Sequence, residues 1–206
     1  MFALPPPDLG LEVSAFSQGM SKGLRQTEGA QIFIRPEVTV GPLFVAAFFK
    51  NVTSQTADGE AAALIGLRQQ AAGFDLSLSV AYKRNTGART QADPDCIEVT
   101  ATAGRRFGRL TPRLSLTYSP DDLGGTGESL YAEAGVSFSL FAGASLSANI
   151  ARRERDGGDD YTAFNAGATY AITRNLSADL RYYDTAQSRL GVIYEPRLVA
   201  SVRVRF

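Results

Sequence analysis

The side chains of this chain that could do chemistry are charged ones recurring at every second position. Asp75 and Lys83 belong to a run in which Phe74, Leu76, Leu78, Val80 and Tyr82 alternate with Asp75, Ser77, Ser79, Ala81 and Lys83. Glu98 falls on the face opposite Ile97 and Val99, Arg113 opposite Leu114 and Leu116, and Glu133 opposite Ala132 and Ala134. Asp179 and Arg181 flank Leu180, while Arg197, Arg203 and Arg205 interleave with Leu198, Val202 and Val204. Arg35, Arg68 and Arg106 extend the set. Residues two apart share one face of a strand, so the charges line one surface and the apolar residues the other. Charges so placed either pair with one another or face water and sort solutes by sign.

Other chemistries lack their reagents. The chain has no histidine, which removes Ser-His-Asp catalysis and histidine metal sites. No Ser-x-x-Lys motif stands out, and neither a metal nor a cofactor is expected. Cys96, the single cysteine, has no internal disulfide partner and reads as an isolated thiol at a strand edge. The 21 basic and 21 acidic residues balance, whereas a nucleic-acid binder normally carries a basic excess.

The elements that must position these charges are strands. No run approaches the roughly 18 apolar residues of a membrane helix. The mean hydropathy of −0.09 would suit a soluble protein, but a barrel turns only one face of each strand to lipid, which dilutes the signal. The period predicts twelve strands, near 10–19, 30–40, 43–51, 60–70, 74–83, 96–107, 110–119, 128–140, 144–153, 160–172, 176–184 and 189–206. The third is apolar on both faces, which leaves its register open.

Short connections at Gly41-Pro42, Ala71-Ala72-Gly73, Gly108-Arg109, Phe141-Ala142-Gly143 and Thr173-Arg174-Asn175 alternate with longer ones. These fall near 20–29, 52–59, 85–95, 120–127, 154–159 and 185–188. That alternation predicts an all-β fold, a closed antiparallel up-and-down transmembrane β-barrel with tight periplasmic turns and longer extracellular loops. A soluble sandwich has no reason to gather its long loops at one end. Tyr82, Tyr118 and Tyr182 would form one interfacial girdle, and Phe74, Phe138, Tyr170 and Phe206 the other.

Residues 1–9 read as a periplasmic segment and 10–206 as one barrel domain. Met1 is followed by neither a basic region nor a long apolar one, so the expectation is a leader already removed and a bacterial outer-membrane location. Lipid and lipopolysaccharide would then be partners. The last strand, with Val202, Val204 and Phe206, resembles the signal that the barrel assembly machinery recognises.

For the lumen two readings stay open. About eight strands are filled by side chains and about sixteen leave a channel, so twelve allows a narrow pore for small hydrophilic solutes. Alternatively the charges pair and plug it. Arg181, Arg197, Arg203 and Arg205 predict a basic wall preferring anions, unless Asp179, Glu195 and Glu12 neutralise it across the seam.

Ser21-Lys22-Gly23-Leu24-Arg25-Gln26-Thr27-Glu28-Gly29 resembles the Arg-Gly-Ile/Leu-Ser-Gln-Thr-x-Gly segment of the TorF-type porin family, a proteobacterial group of outer-membrane barrels. Gly41 to Val52 looks like that family's second hairpin, and Tyr118-Ser119-Pro120-Asp121 like its Tyr-Ser-Pro-Asp. The resemblance implies a porin-like barrel and no particular substrate. Twelve-stranded outer-membrane phospholipases and the surface proteases are poorer matches, because both use a histidine base. A third reading is an adhesive or structural barrel with an occluded lumen, its loops Asp121–Gly127 and Asp156–Asp160 holding Ca²⁺ or partners. No twelve-residue Ca²⁺ loop pattern supports this.

Overall fold

The computed structural model describes residues 5–53, 57–87 and 94–206. Met1 to Leu4, on which the reading of the chain's start rests, lie outside the described residues, as does part of the loops expected near 52–59 and 85–95.

The strands are β1 (Asp8–Phe16), β2 (Met20–Ser21), β3 (Leu24–Arg25), β4 (Gln31–Val40), β5 (Leu43–Asn51), β6 (Gly59–Ala71) and β7 (Phe74–Thr86). They continue as β8 (Asp95–Gly104), β9 (Leu110–Ser119), β10 (Ser129–Phe141), β11 (Ala144–Arg155), β12 (Tyr161–Ala171), β13 (Leu176–Asp184) and β14 (Arg197–Arg205). All except β2 and β3 form a closed barrel, ordered β1-β14-β13-β12-β11-β10-β9-β8-β7-β6-β5-β4 around the ring. Every pairing is antiparallel, and β1 closes on β14 with Glu12 opposite Arg205 and Phe16 opposite Ser201. Leu11 and Phe206 exchange backbone hydrogen bonds at 2.9 and 3.1 Å across this seam.

The period of two drives the closure. Leu76, Leu78, Val80, Leu114, Leu116, Leu146, Ile150 and Leu180 all point outward and are exposed. In water each would forfeit roughly 1.5–3 kcal/mol relative to burial; in lipid the cost vanishes. Among the described residues the large hydrophobics that are buried are few: Leu24, Phe44, Tyr161, Tyr194 and Val199. The molecule is thus apolar outside and polar inside. The aromatics expected in the two girdles are all exposed.

The structure departs from the sequence reading in several places. Residues 20–25, expected as loop, form the hairpin β2–β3. β8 ends at Gly104, so Arg106 lies outside the strands and its Nε donates to the Gly108 carbonyl at 3.2 Å. Beyond Gly104 the β8–β9 hairpin narrows to its turn, with Arg105 N–H donating to the Pro112 carbonyl at 3.2 Å and Phe107 bridging Leu110 before Gly108 (φ 61°). β14 begins at Arg197, not near 189: Ser188–Leu190 and Val192–Tyr194 are 3-10 turns. Gly191 at φ 127° breaks the extended run there, and Pro196 brings no N–H to a ladder.

The ambiguous β5 places Leu43, Val45, Ala47 and Phe49 outward and Phe44, Ala46, Phe48 and Lys50 inward. Its inner face is apolar because Phe44 lies flat over Gly66, where any Cβ would meet the ring, with the Arg68 guanidinium 3.9 Å above it.

Candidate functional site

The inward face changes along the strands. At the long-loop ends of β7 to β12, Lys83, Glu98, Thr117, Ser129, Ala151 and Tyr161 are buried. Towards the short-turn ends of the same strands, Ser77, Thr102, Ser115, Ser137, Ser147 and Thr169 are only half-buried. One end of the lumen is packed, and the other is lined by small hydroxyl side chains.

The packed end is held by a chain of ion pairs. Lys50 Nζ lies 3.1 Å from Glu60, whose other oxygen is 3.0 Å from Lys83 Nζ. Lys83 reaches Glu98 at 3.3 Å, and Glu98 also accepts from Lys22 Nζ at 2.6 Å. Lys22 Nζ is 3.5 Å from Asp122, which accepts from Arg153 and, at 2.7 Å, from Ser129 Oγ. Paired positions on successive strands make the belt possible: Lys50 faces Glu60, and Lys83 faces Ala62 and Cys96. Burial alone would raise the Asp122 carboxyl. The charges of Lys22 and Arg153, with the hydrogen bonds from Ser129 and Arg153, outweigh it and hold the group well below the usual carboxylate range.

Lys22 comes from neither the wall nor a neighbouring strand. It sits at the tip of β2–β3, where Lys22 (φ 49°) and Gly23 (φ 83°) form the two central residues of the tight turn. Two positive φ angles are the signature of a type I′ turn. The root of this loop is tied by Gln26 N–H donating to the Gly19 carbonyl (2.8 Å) and Gly19 N–H to Thr27 Oγ1 (2.7 Å). Its flank is tied to β5 and the segment after it, where Lys50 Nζ donates to Gln26 Oε1 at 2.7 Å and Thr53 N–H to the Gln26 carbonyl at 2.7 Å.

Its tip is tied to β12, where the Tyr161 hydroxyl donates to the Lys22 carbonyl at 2.7 Å. Gly23 packs so closely on Ala163 that any Cβ would collide with that methyl group. Leu24 enters a buried cluster with Ala151, Tyr161, Ala163 and Tyr194. Tyr194, from the last loop, meets Tyr161 edge-on at 5.5 Å and accepts from Arg155 at 2.9 Å.

The expected lumen residues divide between the two ends. Lys83 and Glu98 belong to the packed belt. Arg35 pairs with Glu37 at 2.6 Å, and Arg68 grips both oxygens of the same Glu37. Asp75 accepts from Gln70 at 2.7 Å, and Glu133 accepts from Tyr131 at 3.1 Å. The basic wall is matched by acids: Arg181 with Asp179 at 3.1 Å, Arg197 with Glu195 at 2.8 Å, and Arg203 and Arg205 both with Glu12 at 3.1 and 3.0 Å. Of the two readings of this stripe, the pairs match the neutralised one, through the Asp179, Glu195 and Glu12 named for it, since an uncompensated row on adjacent strands would repel itself. Arg113 differs: it is exposed and carries no ion pair among the described residues.

The sequence reading missed Lys22 and Asp122 as lumen residues, and it placed Cys96 at a strand edge. Cys96 faces inward and is buried. Cys96, Glu98 and Asp122 bring donor atoms within 4.8 Å of one another. Both carboxylates already bind Lys22, Lys83 or Arg153, so ammonium and guanidinium groups occupy the place a metal cation would need.

No family model matches the chain, and no curated protein sequence matches it. Solved structures do. The KdgM porin superimposes with a TM-score of 0.69 at 6% identity, covering 96% of this chain and 99% of that one. The NanC porin gives 0.63 at 10% identity, covering 95% and 98%. The COG4313 outer membrane channel from Pseudomonas putida F1 gives 0.57 at 14% identity, covering 98% and 96%. At such identities the likeness is one of fold: this chain shares the closed antiparallel barrel of porin-type outer-membrane proteins.

Proposed function

We propose that this protein is an outer-membrane channel for passive diffusion of small hydrophilic solutes, with a modest preference for anions. The observation that carries the reading is the small polar lining of the short-turn half. Ser77, Ser115, Ser137 and Ser147 are half-buried inward residues of a twelve-strand ring, so the interior there is not filled as a core would be. The lipid-facing belt supports a membrane location, with short turns on the periplasmic side and long loops outside. The similarity in fold to porins agrees, and the KdgM porin has been solved with disordered oligogalacturonate. The TorF-type resemblance in the first loop fits the same class.

The anion preference rests on Arg113, a lumen base with no acidic partner among the described residues. Purified protein in planar bilayers under a KCl gradient is expected to conduct, with a reversal potential of the anion-selective sign. A correctly folded barrel that never conducts would sink the channel reading and favour a closed barrel acting through its loops.

A further inference from the structure

We infer that the β2–β3 hairpin is the constriction of the channel and that Lys22, at its tip, determines which solutes pass; this rests on the channel reading above. The ring order shows the hairpin's reach. Its root joins β1 to β4, neighbours in the barrel. Its tip bonds to Glu98 on β8, Tyr161 on β12 and Asp122 in the β9–β10 connection. Four strands lie between β1 and β10 one way around, and four between β4 and β9 the other way. The hairpin therefore spans the mouth from one side to the other.

Depth follows from Glu98, which lies three residues inside the end of β8, roughly 10 Å along the strand. The turn itself is specialised. A type I′ turn favours Asn or Gly at its first central position, yet a lysine is held there at φ 49°. A residue kept in a costly conformation points to its side chain as the reason. That side chain reaches into the lumen and bonds two carboxylates, Glu98 of the β8 wall and Asp122 of the β9–β10 connection. Solutes must pass beside the hairpin, in the vestibule of about 710 Å³ that Lys22 lines with Arg25, Lys83, Asp122 and Arg153.

Two variants of the full chain test this. One excises residues 20–25 with a two-glycine bridge, which is feasible because Gln26 N already lies 2.8 Å from the Gly19 carbonyl. The other is Lys22→Met, which keeps the turn and removes the charge. Folding of each is read by heat-dependent gel migration. Function is read by single-channel conductance and by liposome swelling in sugars of increasing size.

The excision is expected to raise conductance severalfold and admit larger sugars. Lys22→Met is expected to give a smaller rise and shift the reversal potential towards cations, since Glu98 and Asp122 lose a compensating charge. A silent parent with a conducting excision variant also supports the inference, the hairpin then closing the pore completely. Unchanged conductance and size limit after excision would overturn it while leaving the channel reading intact. Silence of both folded proteins would remove the channel reading itself, and the constriction with it.

Discussion

Ion pairs fill both ends of this lumen, but water reaches them very differently. At the long-loop end the Glu60 and Asp122 side chains are 3% and 4% exposed. At the short-turn end Glu12 is 18% exposed and its partner Arg205 is 65% exposed. In a nearly dry site, losing one partner strands the other, and that costs several kcal/mol. In a wet site a pair contributes little. The same residue types thus fasten one end and leave the other a lined passage.

The largest test of this contrast is Asp122→Ala. It strands the guanidinium of Arg153, leaves Lys22 with Glu98 alone and removes the acceptor of Ser129, so unfolding in detergent and urea should show a loss of about 3 kcal/mol. Acid probes the same carboxylate without mutation. Its pKa is depressed in the folded state, so its stabilising effect is fully present above the ordinary aspartate value. That effect is lost only as pH falls from about 4 towards the depressed value. Conductance through the parent channel should therefore be flat from pH 7 to 5 and should rise, if the hairpin lets go, only below about 4.

Tyr161→Phe removes the hydroxyl's bond to the Lys22 carbonyl and its longer acceptance from Arg153 at 3.4 Å, and leaves the ring packed, with an expected loss of about 1.5 kcal/mol. Glu12→Gln, in the wet half, should cost less than about 1 kcal/mol although it serves two arginines. A loss as large as that of Asp122→Ala would erase the distinction between the ends. Arg113→Ser should change stability by less than about 0.5 kcal/mol, and its effect should appear in the reversal potential as reduced anion preference.

The barrel was legible in the sequence because lipid and lumen impose a strict period of two, as the run from Phe74 to Lys83 shows. Glu98 and Lys83 were assigned inward for the same reason. What stayed hidden depends on where chain segments meet in space. Lys22 and Asp122 sit in connections, where alternation says nothing, and only their mutual approach makes them lumen residues. Leu24, an apolar residue within a polar loop, and the Lys22-Gly23 turn were the local signals of a buried hairpin. The inward Phe44 was masked because its packing partner, Gly66, is on another strand. The basic wall stayed open between two readings in the sequence, and only the approach of Glu12 to Arg203 and Arg205 across the seam brings out the neutralised one.

That seam has a kinetic meaning. Every other pairing in the ring joins segments near one another in the chain, β1 and β4 being separated only by the β2–β3 hairpin, so each can form locally. Glu12 and Arg205 are 193 positions apart, and joining such distant segments carries the full loop-closure entropy before any contact rewards it. The β1–β14 ladder should therefore be the last to form and should govern the folding rate. Until it closes, the facing edges of β1 and β14 remain unpaired in a medium that offers their amides no other partner.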